Sequence, residues 1–221
     1  MPEDASSSPS DKAAESSVSV VSIELKGAAG ERVRIHLADG SFFVIHSEVF
    51  ASERLSAGHL LDEARIAGLK SRSECILARQ TALQLLSRSA QTRTGLLRKL
   101  RSRGFNKDAA VFAAKRMIEL GYIDDRAFAE NWTQFRISSH REGWKSLYRG
   151  LLRNGVPRAI AEEVLHNACT EEIELEKARQ LIGGLTPRTA AGRLTSRGFR
   201  SRTIARILSE MKQEGRRETE E

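Results

Sequence analysis

Aromatic side chains are scarce in this chain, 5% of 221 residues, so its hydrophobic cores must be built mainly from Leu, Ile, Val and Ala. Cysteine is scarcer still. The two thiols, Cys75 and Cys169, stand far apart, which excludes a disulfide-stapled secreted scaffold. No apolar run approaches the roughly 20 residues that a membrane-spanning helix needs, and the first residues lack the apolar core of an export signal. The five histidines, His36, His46, His59, His140 and His166, are scattered, with no HExxH or Cys-x-x-Cys spacing. No metal and no cofactor are therefore expected. Together these absences describe a soluble, cytoplasmic, non-enzymatic protein with reduced thiols and no membrane contact.

What is present is repetition. The stretch Leu97–Phe105, LRKLRSRGF, has two further copies: aligning Gly104 with Gly155 and Gly198 places Leu100 over Leu151 and Leu194, and Phe105 over Val156 and Phe199. Upstream, Thr92, Gly143 and Thr186 coincide as acceptable helix N-caps. Downstream, Ala113, Val164 and Ile207 coincide in a helical register. Each copy reads as a helix, a glycine leaving it in a left-handed conformation, a hydrophobic hinge residue, and a second helix. The glycines are spaced by 51 and 43 residues, enough for three helices per unit, and repeats of this period usually stack along a shared seam. The fold class expected is mainly α: tandem three-helix, helix-turn-helix-like repeats forming an elongated curved rod, preceded by a small β-containing module.

Taken in order, residues 1–17 are Ser-, Ala- and acid-rich and read as a disordered tail. Residues 18–70 read as a β-hairpin and helix module. Val18–Leu25 alternates with one slip, Arg32–Leu37 alternates cleanly, and FFVIH follows. Asp39-Gly40 suggests a two-residue type I′ turn that pairs Leu37 with Phe42 and Ile35 with Val44. Short helices are expected near Glu48–Arg54 and Leu60–Ala67, with Gly58 and Gly68 as breaks. Residues 71–121 form repeat 1, opened by a capping box at Ser71–Glu74, with Ile76, Leu83 and Leu86 facing its core. Residues 122–169 form repeat 2, introduced by Gly121-Tyr122-Ile123-Asp124-Asp125, whose two acids cap and charge a helix start. In that helix Phe128, Trp132 and Phe135 make a stripe expected to be core. Gly150 stands inside a helix, marking a weaker copy or a close contact. Residues 170–213 form repeat 3, and 214–221 a frayed end.

The charge is unevenly divided. The chain carries net +7, but residues 1–70 hold seven Lys/Arg against eleven Asp/Glu, so the basic excess belongs to the repeats. Arg93–Arg116 contains eight Lys/Arg and one acid, and Arg188–Arg206 six and none. The segments between are acidic, as at Glu171, Glu172, Glu174 and Glu176. A basic surface of this kind suits a polyanion or an acidic protein groove.

With those residues in place, the chain resembles the RecX family of bacterial regulatory proteins. The likeness rests on the tandem L-x-x-L-x-x-(R/N)-G-(F/V) units and on the linker Gly121-Tyr122-Ile123-Asp124-Asp125 followed by Phe128-Ala129, and it covers about residues 71–212. The resemblance implies a partner, the RecA recombinase filament on single- or double-stranded DNA, bound along its groove. It also implies modulation, most simply inhibition, of ATP hydrolysis, strand exchange and co-protease activity in recombination and the SOS response. The basic side chains that would meet recombinase or phosphate are Arg98, Lys99, Arg101, Arg103, Lys145, Arg149, Arg153, Arg193, Arg197 and Arg202, with Gly104, Gly155, Gly198 and the linker residues as structural elements. A monomer is expected. The alternative is a helix-turn-helix protein acting on duplex DNA by itself. Against it, the third helices present mostly Ala, Ile, Arg and Lys rather than an Asn, Gln and Arg reading face.

Overall fold

A computed structural model describes residues 17–27 and 30–220; the expected tail lies outside the described residues but for its last position. Three strands, β1 (Val18–Lys26), β2 (Arg32–Leu37) and β3 (Phe42–His46), are followed by helix α1 (Ser47–Glu53) and a short strand β4 (Leu60–Leu61). The remaining described chain is helical: α2 (Glu63–Arg88), α3 (Arg93–Ser102), α4 (Lys107–Glu119), α5 (Asp125–Ser139), α6 (Trp144–Arg153), α7 (Arg158–Ala168), α8 (Glu171–Ile182), α9 (Pro187–Ser196) and α10 (Ser201–Glu220). The helical repeats are thus observed. Packing divides the chain into two compact units: residues up to Leu85 with Lys99–Glu119, and Leu86–Arg98 with Leu120–Glu221.

In the first unit the sheet order is β3-β2-β1-β4, antiparallel throughout. Its inner face, Val20, Val33, Ile35, Leu37, Phe43 and Ile45, packs with Val49 of α1 and Leu69 of α2. The slip in β1 is a β-bulge, since the register shifts between Val20 and Ser22 and leaves Val21 exposed.

The hairpin differs from the sequence expectation by one residue. Leu37 N–H donates to the Ser41 carbonyl and Gly40 N–H to the Leu37 carbonyl, and in this turn only Gly40 has positive φ. The loop is therefore three residues ending in a left-handed glycine, where a type I′ turn would need positive φ at Asp39 as well. One residue of slip moves every β3 side chain to the other face. Ile35 pairs with Phe43 and Val33 with Ile45, while Phe42, 55% exposed, turns outward beneath the Arg34 guanidinium at 4.7 Å.

Two further expectations are corrected here. Leu60-Leu61 adds a strand to β1 instead of starting a helix. The helix α2 runs unbroken through Gly68 and Ser71, so the Ser71–Glu74 sequence is not a helix start; nothing within 4 Å crowds Gly68, and the Leu69 side chain beside it is fully buried against the sheet. Ser73 instead reaches back, its hydroxyl accepting from the His46 N–H at 2.8 Å. Because the buried positions of α2 are largely Ala and Ser, the inward stripe is Ala78, Ala82 and Leu85, and Leu83 faces outward. The helix α10 also continues through residues 214–220, where fraying was expected.

In the second unit, α5, α6 and α7 enclose Ala129, Leu147, Leu151, Val156, Ala161, Val164 and Leu165. The helices α8, α9 and α10 enclose Leu175, Ala178, Leu194, Phe199 and Ile207. Gly150 owes its place to a close approach: a Cβ there would lie 2.3 Å from Cη2 of Trp132. Phe128 and Trp132 pack on this core as expected, but Phe135 is 60% exposed. Cys169 is buried, and burial pushes its thiol up to about 11, leaving it an inert apolar filler.

Among the described residues no helix is long and apolar enough to cross a membrane.

Candidate functional site

The repeated turn does more than end a helix. Gly104, Gly155 and Gly198 all have positive φ, at 92°, 87° and 78°. At the second and third copies the turn also receives the start of the preceding repeat's middle helix. The Thr92 hydroxyl, at the start of α3, donates to the Asn154 carbonyl at the end of α6 (2.5 Å) while accepting from the Gly95 N–H (2.9 Å). In the next joint Gly143 N–H donates to the Arg197 carbonyl (3.0 Å) and Lys145 N–H to the Gly198 carbonyl (2.9 Å). The free N–H groups of one helix thus meet the free carbonyls of another, so two sets of orphan backbone groups and two opposed macrodipole ends satisfy one another.

The joints leave no room. A Cβ on Gly143 would lie 2.2 Å from the Phe199 Cα, and one on Gly198 2.6 Å from the Ser146 nitrogen, whereas Gly104 has nothing within 4 Å. The two substitutions should therefore differ. Gly104→Ala should cost about 1 kcal/mol of left-handed strain, and Gly198→Ala at least about 2 kcal/mol more through overpacking. Chemical denaturation of both variants checks this; equal losses would mean that the joint yields.

The linker acids are consumed by the same architecture. Asp124 caps α5, accepting from the Arg126 and Ala127 N–H groups (2.9 and 3.0 Å). Asp125 accepts from the Arg93 N–H (2.7 Å) and so charges the start of α3. Ile123 is buried and Tyr122 exposed.

At the joint between repeats 2 and 3 stands a buried carboxylate. Glu174, 1% exposed, accepts from Trp144 N–H (2.9 Å), Arg200 N–H (3.1 Å), the Arg200 guanidinium and the Thr203 hydroxyl (2.8 Å). Burial alone would raise its pKa, but those four donors outweigh it and hold the group below the ordinary glutamate range. Composition suggested only an acidic segment here.

The ten basic residues proposed from the sequence do not fall in one place. Lys99, Arg101 and Arg103 belong to the first packing unit and the rest to the second. All are exposed except Lys99, which is half-buried. Among the described residues Arg202 alone of the ten has a carboxylate partner, Glu171 at 3.7 Å. The other arginines of the repeats are largely spent on ion pairs: Arg126 with Glu163, Arg136 with Glu142, Arg179 with Glu210, Arg200 with Glu174 and Arg206 with Glu171. Structural and free cations are thereby separated, as composition could not do. Arg98 has a backbone role, donating to the Arg153 carbonyl at 3.4 Å, where a cation favours the end of α6.

Arg193 and Arg197, one turn apart at the end of α9, share a cleft of about 450 Å³ with Arg141, Lys177, His140 and the hydroxyls of Ser138 and Ser139. Lys145 and Arg202 border a wider groove of about 840 Å³ beside Trp144, whose ring stacks on Tyr148 at 5.0 Å. Glu162 and Glu163 line it too, so its charge is mixed.

No family model matches this chain. A "Regulatory protein RecX" of Trichlorobacter lovleyi is 33% identical over 156 residues, 65% of this chain and 99% of that protein. The chain belongs to the RecX family. A RecX of Listeria monocytogenes is 26% identical over 159 residues, 72% of this chain but 59% of its own length. One of Thermus thermophilus is 41% identical over 91 residues, 41% of this chain and 62% of that protein. Among solved structures, a regulatory protein RecX superposes with a TM-score of 0.63 at 23% identity, over 87% of this chain and 99% of that one. RecX from Lactobacillus salivarius gives 0.57 at 24% identity, over 63% and 97%. The first superposition covers more of the chain than residues 71–212, so the shared fold extends into the N-terminal module.

Two features of this RecX-family chain escaped the sequence reading. Arg141 and Lys177 complete the α5–α8–α9 cleft, yet in the sequence each is flanked directly by an acid, Glu142 and Glu176, and lies outside the basic runs. A groove of about 410 Å³ lined by Tyr122, Phe128, Trp132 and Phe135 opens beside the linker; the aromatic stripe was expected to be core, and Phe135 is exposed instead, as is Tyr122.

Proposed function

We propose that this chain is a non-catalytic regulator of the RecA recombinase that binds RecA filaments on DNA and restrains ATP hydrolysis, strand exchange and co-protease activity. Membership of a regulatory family supports a modulating role. The observation that carries the binding mode is the set of exposed cations on successive repeats left without carboxylate partners, while neighbouring arginines are consumed in ion pairs. Cations free of internal partners are available to acidic recombinase surface and to phosphate. Tandem repeats linked in one chain convert several weak interactions into avidity, because each later one is intramolecular.

The test is RecA's single-strand-dependent ATP hydrolysis titrated with this protein, alongside its binding to bare DNA over a salt series. Inhibition is expected at concentrations well below those that coat the DNA. No effect on hydrolysis, with tight and sequence-selective duplex binding instead, would replace this reading by the independent helix-turn-helix one.

A further inference from the structure

We propose that the cleft between the end of α5, α8 and α9 is a phosphodiester-binding site that grips neighbouring phosphates of a single nucleic-acid strand. The proposal deepens the reading above and rests on it for the setting, a filament on DNA. Three observations carry it.

The first is charge without compensation. Arg141, Lys177, Arg193 and Arg197 line one cleft that no carboxylate lines, and among the described residues none of the four has an ion-pair partner. Of the nearest acids in sequence, Glu142 is paired with Arg136, and Glu176, which accepts from the neutral Gln180 amide at 3.1 Å, does not line the cleft. Gathering four like charges opposes folding unless an anion neutralises them.

The second is an unmatched donor. Arg136 Nη1 lies 3.4 Å from His140 Nε2, and a guanidinium can only donate, so Nε2 accepts and the ring proton belongs on Nδ1. That Nδ1 is buried and, among the described residues, has no hydrogen-bond partner, a state that normally costs free energy.

The third is the lining itself. Hydrogen-bond donors dominate it, with Leu181 as the one aliphatic side chain. Phosphate oxygens accept only, and guanidinium forks match them bidentately. A protein partner would instead need a buried apolar anchor, which this cleft does not offer. The aromatic groove beside the linker does offer one, but no cation lines it.

The test uses the full chain, a labelled oligothymidine and a salt series. Arg141 and Lys177 are side chains without ion-pair partners, so the Arg141→Ala/Lys177→Ala variant should keep its far-ultraviolet circular dichroism. Its binding should weaken, and the slope of log K against log salt should flatten by about 1.4, at about 0.7 for each single-strand phosphate no longer neutralised. The charge-preserving Arg141→Lys/Lys177→Arg variant should restore the slope. An unchanged slope in the alanine variant overturns the proposal. If that variant has an unchanged slope yet no longer inhibits RecA hydrolysis, the cleft meets acidic protein: the phosphate site falls and the regulatory reading stands. If the slope flattens while even the parent protein leaves hydrolysis untouched, the phosphate site stands and the RecA reading falls.

Discussion

Glu174→Gln is expected to destabilise the second packing unit by about 3 kcal/mol, the scale for breaking a buried charged pair by removing one partner. The substitution keeps the shape of the side chain, so no cavity is created. It removes the charge that holds Arg200 and turns an amide NH2 toward groups that are themselves donors: Trp144 N–H, Arg200 N–H, the Arg200 guanidinium and the Thr203 hydroxyl. Unpaired donors are left at the starts of α6 and α10 together, so repeats 2 and 3 should loosen as one. The melting temperature should fall by roughly 10 °C for a unit of this size. The pH dependence gives an independent check. The native carboxyl has a lowered pKa, so its contribution is fully present above the unfolded value of about 4.3 and is lost as pH falls through the lower native value. The parent protein should therefore lose stability steeply below about pH 4, and the glutamine variant should lack that component of the slope. Parallel pH profiles for the two proteins would show that Glu174 is not the ion the network holds.

Reversing charge at Arg101, Arg193 and Arg197 to Glu should weaken binding to RecA filaments on single-stranded DNA by at least about a hundredfold at low salt, because about six units of net charge are removed from a long-range field. Arg98 is left in place, since its guanidinium donates to the Arg153 carbonyl and its loss would confound binding with the end of α6. The three chosen arginines are exposed and have no carboxylate partner among the described residues, so helical content and melting temperature should stay near those of the parent. Filament affinity measured by anisotropy across a salt series reads the result. An affinity equal to the parent's would sink the idea that these free cations make the interface, and a loss accompanied by unfolding would be visible in the same samples by circular dichroism.

How far the sequence could be read follows the range of the interactions involved. The glycine of LRKLRSRGF announced a left-handed helix exit because only a residue without Cβ takes positive φ at little cost, and Gly104, Gly155 and Gly198 do so. The caps at Thr92, Asp124 and Thr186 were visible for the same reason, since a cap bonds two or three residues along the chain. By contrast, Asp39-Gly40 fits both a two-residue and a three-residue loop, and only packing of Phe43 and Ile45 against α1 and α2 selects between the registers. Gly68 and Ser71 carried local signals for a break and a start, but burial of Leu69 and a hydrogen bond between Ser73 and His46 keep α2 continuous.

The candidate site divides along the same line. Which segments are basic is a property of composition, and so is the triplication of the helix pair. Which arginines are free is not, because pairing depends mostly on acids 26 to 37 residues distant, as in Arg200 with Glu174 and Arg126 with Glu163. The sequence by itself determined a mainly helical, repeated, basic chain with glycine-centred turns, since periodicity, capping and backbone sterics act over a few residues. The tertiary structure decided the hairpin register, the tight joints at Gly143 and Gly198, the buried Glu174 network and the gathering of Arg141 and Lys177 with Arg193 and Arg197. Those depend on side chains far apart in the chain competing for the same space and the same partners.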